Sequence, residues 1–160
     1  MCAMFASLAC VATMIIKIPS PLHGYINLGD CIVLLAAWVL SPISAFFAAA
    51  IGSGLADLFS GYAIYAPATF VIKGLMAIVA YFSYKMLSKK IKKLPSRIIA
   101  GVLAEIVMIG GYLVFESFLY GFVPSLANVP ANGVQGVAGI IFGVLLAGVF
   151  EKYKITANKE

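Results

Sequence analysis

Apolar residues fill long blocks of this chain, and polar residues gather in the short gaps between them. Runs at 3–18, 67–87, 97–119 and 133–150 each suit one helical crossing of a bilayer. The run from Cys31 to Phe59 is too long for a single crossing. As one helix it would extend about 44 Å, against a hydrocarbon core of about 30 Å. Ser41-Pro42 falls inside it, and proline is a natural stop and restart point for a helix. The pattern therefore predicts two helices there, 30–41 and 43–60. Six helices result, forming an all-α integral membrane bundle in a single domain over residues 1–160.

Composition agrees with the pattern. The chain is 63% apolar and 11% charged, far from the roughly half-apolar, quarter-charged balance of soluble domains. With 160 residues, six spans leave little for a soluble domain on either side. The net charge of +5 does not indicate nucleic acid, because the basic residues concentrate in the loop 88–97 and the tail 151–160. Two crossings separate these segments, so they share a side, and basic loops face the cytoplasm. Counting back places the N-terminus inside as well, with 19–29, 60–66 and 120–132 outside. Cys2, Cys10 and Cys31 show no CxxC spacing, which reads as structural thiols.

Topology then gathers the unusual residues in the outer half. A charged side chain in hydrocarbon costs about 2.5–3.5 kcal/mol on insertion scales, so such groups pair, meet water or hold a ligand. Asp30, after Gly29, reads as the N-cap of the second helix. Asp57 and Lys73, on consecutive helices, read as an ion pair, with Asp30 and Asp57 as structural polar groups. Glu116 lies near the outer end of the fifth helix, and Asn132 and Gln135 open the sixth. His23, Tyr25, Asn27, Tyr62 and Tyr65 come from the connecting segments, and Tyr112 from the fifth helix. Such aromatic walls with a few amides and charges suit a small heterocyclic metabolite. The candidate ligand-binding set is accordingly His23, Tyr25, Asn27, Tyr62, Tyr65, Lys73, Tyr112, Glu116, Asn132 and Gln135. The tyrosines equally suit an interfacial aromatic belt. Glu105 is the exception, lying toward the inner end of the fifth helix without a nameable partner. No metal-ligand spacing surrounds the lone His23.

Other chemistries lack their residues. GxxxxGK[ST], HExxH and GxSxG are absent, so neither ATP hydrolysis nor intramembrane hydrolysis is expected of this chain. A channel would need polar lining from face to face, whereas the inner halves of the second, fourth and sixth predicted helices are apolar.

Between Pro19 and Gly74, the stretches GYINLGD, GSGLADLFSGY and APATFVIKG closely resemble the substrate-binding S components of energy-coupling factor (ECF) vitamin transporters. The resemblance implies a bacterial cytoplasmic membrane protein that captures a vitamin or precursor from outside. A membrane T subunit and two ATPases would then drive its release inside. ATP would be used by those partners, and no cofactor or metal would be held here. In that family a small-residue motif on the first helix faces the T subunit, and Ala6, Ala9, Cys10 and Thr13 are its counterparts here. Two other readings stay open on the residues alone: a self-sufficient ion-coupled transporter, and an assembly protein without a ligand.

Overall fold

The computed structural model describes residues 1–20 and 24–153. Helix α1 (Cys2–Ile15) leads into a two-stranded antiparallel hairpin, β1 (Ile18–Pro19) with β2 (Tyr25–Ile26), in which Ile18 faces Ile26 and Pro19 faces Tyr25. Helices α2 (Gly29–Val39), α3 (Pro42–Phe59), α4 (Ala66–Leu87) and α5 (Lys93–Tyr120) follow. The short α6 (Phe122–Ser125) and a 3-10 turn (Leu126–Asn128) lead to α7 (Val129–Lys152). Four segments are long and apolar enough to cross a membrane: α3, α4, α5 and Phe122–Lys152, while α1 and α2 are shorter apolar helices.

Several boundaries differ from the sequence pattern for local reasons. The first helix stops at Ile15 instead of 18, because Ile16 turns extended and the chain enters the hairpin. The fifth begins at Lys93, four residues early, since Pro95 in its first turn forfeits no helical hydrogen bond. Pro130 likewise sits at the start of α7, which opens at Val129 instead of 133. Between α2 and α3, Ser41 Oγ accepts the Ser44 N–H at 3.4 Å, with Pro42 at the first helical position. This cap is the local reason that the 31–59 run is two helices.

Helix α2 is the central element. Its residues Gly29 to Ala37 are all buried, and it packs against α1, α3, α4 and α7. An 11-residue helix that is apolar all round has no polar face to offer water, so its neighbours must enclose it. Around it α1 packs on α3, α3 on α4, α4 on α5, and α5 on α7.

Small residues set these distances. A Cβ on Gly52 of α3 would lie 2.4 Å from the Ala6 carbonyl oxygen and 2.9 Å from the Ala9 Cβ. On α7, a Cβ on Gly139 would lie 2.8 Å from Asp30 Cβ and 3.0 Å from Glu105 Oε1. Close backbone approach is how membrane helices associate, since lipid tails are as apolar as leucine. The end carrying the basic loop is tied by Arg97, whose guanidinium sits 5.8 Å from the Trp38 ring and 5.5 Å from the Tyr84 ring. Arg97 also pairs with Glu151 at 3.0 Å, linking α2, α4, α5 and α7.

Gly52→Ala is expected to lower stability by about 1–3 kcal/mol, because backbone must move to admit the methyl group. Gly110→Ala, where nothing lies within 4 Å of the added carbon, is expected to be neutral or slightly stabilising. Thermal melting of both variants in detergent checks the pair; equal melting temperatures would show that α1 and α3 have slack.

Candidate functional site

At the end of the bundle away from the basic loop, a cleft opens between the hairpin, the α3–α4 turn, α5 and the start of α7. Its walls are Ser20, Gly24, Tyr25, Asn27, Asp57, Tyr62, Tyr65, Thr69, Tyr112, Glu116, Asn132 and Gln135. The enclosed void is about 30 Å³, and the cleft with its open mouth about 390 Å³. The void holds little more than a water molecule, and the remaining volume is open to solvent at the mouth.

The α3–α4 turn shows how local sequence builds one wall. Gly61 adopts φ +83°, the left-handed conformation that ends a helix, and the Tyr62 N–H bonds the Asp57 carbonyl at 2.8 Å while Gly61 N–H bonds that of Leu58. This closure places Tyr62 beside the end of α3. The Tyr62 ring packs on Tyr25 with centroids 4.6 Å apart, and Tyr25 Oη donates to Asp57 Oδ1 at 2.5 Å. Burial and the neighbouring Asp57 carboxyl push the Tyr25 phenol well above its usual range.

A second part of the lining centres on Glu116. Its Oε1 accepts from Asn128 Nδ2 at 2.7 Å and from Tyr65 Oη at 3.5 Å. Tyr65 also meets Phe115 edge to face. Thr69 and Tyr112 share a hydrogen bond at 3.0 Å across the floor.

Beneath the floor lies the only ion pair within the bundle's interior among the described residues, Lys73 with Asp30. Asp30 is fully buried, and its second oxygen accepts from Gln135 Nε2 at 2.7 Å. Gln135 in turn accepts the Asn27 N–H at 2.9 Å, while Asn27 Oδ1 accepts the Gly29 N–H at 2.9 Å. One amide side chain thus joins the cleft wall to the ion pair. Glu105 lies alongside, against Gly136 and Gly139, with neither carboxyl oxygen hydrogen-bonded.

With this arrangement in view, the relatives are informative. A family model described as ECF-type riboflavin transporter, S component, matches residues 1–152. The chain belongs to this S component family. A solved S component of a bacterial ECF transporter superposes with a TM-score of 0.76 at 26% identity, covering 95% of this chain and 94% of that one. An uncharacterized protein in a gap 3′ region of Pyrococcus woesei is 37% identical over 144 residues, 89% of this chain and 93% of the relative. The molecule is therefore a membrane-embedded transport subunit.

In this S component, Tyr25, Asn27, Tyr62, Tyr65, Tyr112, Glu116, Asn132 and Gln135 come together on the cleft. Three sequence assignments change. Lys73 does not line the cleft; it lies below the floor, paired with Asp30 and not with Asp57. Asp57, assigned to structure, is a wall of the cleft and bonds Tyr25. Asp30 does not cap α2, because it sits inside the first turn and Asn27 takes the Gly29 N–H instead. His23 falls outside the described residues. Ser20, Gly24 and Thr69 were missed, and Thr69 had a signal: it stands one helical turn before Lys73 on the same face.

The small residues of α1 also point elsewhere than the resemblance implied. Ala9, Cys10 and Thr13 are buried within the chain, and Ala6 meets Gly52. Thr13 packs over Gly29, where an added Cβ would lie 2.1 Å from Thr13 Oγ1. They serve packing on α2 and α3, and the outward side of α1 carries Met4, Leu8, Val11 and Ile15.

Lys73→Met strands the buried Asp30 without a cation and is expected to cost about 3–5 kcal/mol. Adding Asp30→Asn is expected to restore most of that loss. The measurement is thermal melting of the single and double variants; a Lys73→Met protein that melts like the parent would remove the pair from the account of stability.

Proposed function

We propose that this S component captures a vitamin or vitamin precursor in the cleft, from outside the cell. It then delivers the ligand inward together with a T subunit and two ATPases. The observation that carries this reading is the one-sidedness of the polar groups. A cleft lined with tyrosines, amides and two carboxyls opens at one end of the bundle, while the α2 core that continues toward the other end is apolar from Cys31 to Ala37. A binder that needs another subunit to complete transport has this form, whereas a pore is polar from end to end.

In this reading the chain crosses the membrane six times, with α1 and α2 as the two short spans and both termini inside. The basic loop and tail then face the cytoplasm, the cleft faces out, and the membrane is the cell membrane. ATP is consumed by the partner subunits. Contact with the T subunit falls on the outward row of α1, since the small residues beside it are occupied by α2 and α3.

The decisive experiment is to purify the chain alone in detergent, extract any co-purifying small molecule and identify it by mass spectrometry. Uptake of that molecule is then measured in cells with and without the energy-coupling subunits. A near-stoichiometric vitamin whose uptake collapses without those subunits is expected. Uptake that persists without them would establish a self-sufficient transporter instead.

A further inference from the structure

We infer that the cleft selects an organic cation, a ring compound bearing a protonated amine or a quaternary ring nitrogen. The inference rests on reading the cleft as the substrate site, and the charge on its walls carries it. Two carboxyls line the cleft, Asp57 and Glu116, and among the described lining residues there is no basic side chain. Lys73, the ammonium beneath the floor, is committed to Asp30. Lys17, at the same end of the bundle, is exposed and donates to Ser60 Oγ at 3.0 Å.

Both carboxyls are buried with an oxygen to spare. Asp57 is 4% exposed and Glu116 2%. Each has one oxygen engaged by a donor, Tyr25 Oη or Asn128 Nδ2, and one oxygen with no hydrogen-bond partner: Asp57 Oδ2 and Glu116 Oε2. Asn128, behind Glu116, leaves its Oδ1 unpartnered too. The surplus at this end is therefore one of buried acceptors. Buried polar atoms without partners are rare in native proteins, and a cluster of one kind in a cleft defines what is missing. Here the missing partner is a donor, and opposite charge makes a cationic donor the best fit.

The aromatic walls agree. Tyrosine faces attract cations, and cages of such rings are a recurrent device for binding alkylated ammonium groups. Tyr112 already shows the contact from below, with Lys73 Nζ 5.6 Å from its ring centroid. An anionic vitamin would meet two carboxyls and, among the described lining residues, no cation. A neutral flavin would fill the aromatic walls and leave the charge unanswered.

The test is isothermal titration calorimetry on the purified full chain with four probes: thiamine and pyridoxamine as cations, riboflavin as a neutral ring, and pantothenate as an anion. At least one cation is expected to bind on the order of tenfold tighter than riboflavin and pantothenate. Asp57→Asn and Glu116→Gln, which keep shape and remove charge, are each expected to weaken that binding by on the order of tenfold or more. Should a variant fail to melt cooperatively, the salt dependence of the parent chain replaces it, and cation affinity is expected to fall as salt rises. Riboflavin or pantothenate binding at least as tightly as both cations overturns the inference and leaves the binding-subunit reading intact. Cation binding indifferent to both substitutions and to salt also overturns it. Silence from all four probes with a cooperatively melting chain counts against both the inference and the substrate-site reading.

Discussion

The ion pair between Asp30 and Lys73 is the interaction on which this bundle turns. It joins the start of α2 to α4 across 43 residues of chain, and Gln135 brings α7 to the same carboxylate. In an apolar interior a lone carboxylate or ammonium would be prohibitive, so these three helices must meet at this depth and in this rotation. Hydrophobic packing alone would not impose that rotation, because lipid and leucine solvate a helix face almost equally. The small residues then allow the approach: Gly139 lets α7 reach Asp30, and Gly52 lets α3 reach α1.

The same contact organises the cleft above it. Gln135 is shared between the ion pair and the backbone of Asn27, and Asn27 also satisfies the Gly29 N–H at the start of α2. The cleft wall and the core are therefore one hydrogen-bonded unit. Asp57 and Glu116 both line the cleft, each with an oxygen left over. Among the described residues the one buried ammonium, Lys73, is spent on Asp30, and the inferred preference for a cationic donor rests on that division of charge.

Much of this was legible in the order of residues. Ser41-Pro42 divided the long apolar run, because a Ser cap followed by Pro ends one helix and begins the next regardless of what surrounds it. The motif-bearing stretches between Pro19 and Gly74 identified the family on which the comparison with a solved S component agrees. Harder to see was who pairs with whom. Asp57 and Lys73 are closer in sequence, yet Lys73 chose Asp30, because α2 lies at the centre of the bundle and α4 presents Lys73 inward to it. The α1 stripe of Ala6, Ala9, Cys10 and Thr13 carried the right signal of close approach without saying to which helix. Smallness has no direction. Similarly, the pairing of Ile18–Pro19 with Tyr25–Ile26 is too short to leave a period in the sequence.

Sequence by itself determined that the chain is a membrane helix bundle, that its longest apolar run breaks at Ser41-Pro42, and that the scarce polar groups belong largely to one end. These are consequences of hydrophobic length, proline geometry and the cost of charge in lipid, all of which act locally. Tertiary structure alone decided that Asp30 rather than Asp57 takes Lys73, that Asp57 and Glu116 face one cleft, and that the small face of α1 turns inward. Those outcomes depend on how helices rotate and cross. That is settled collectively, by the need to partner a few buried charges at once.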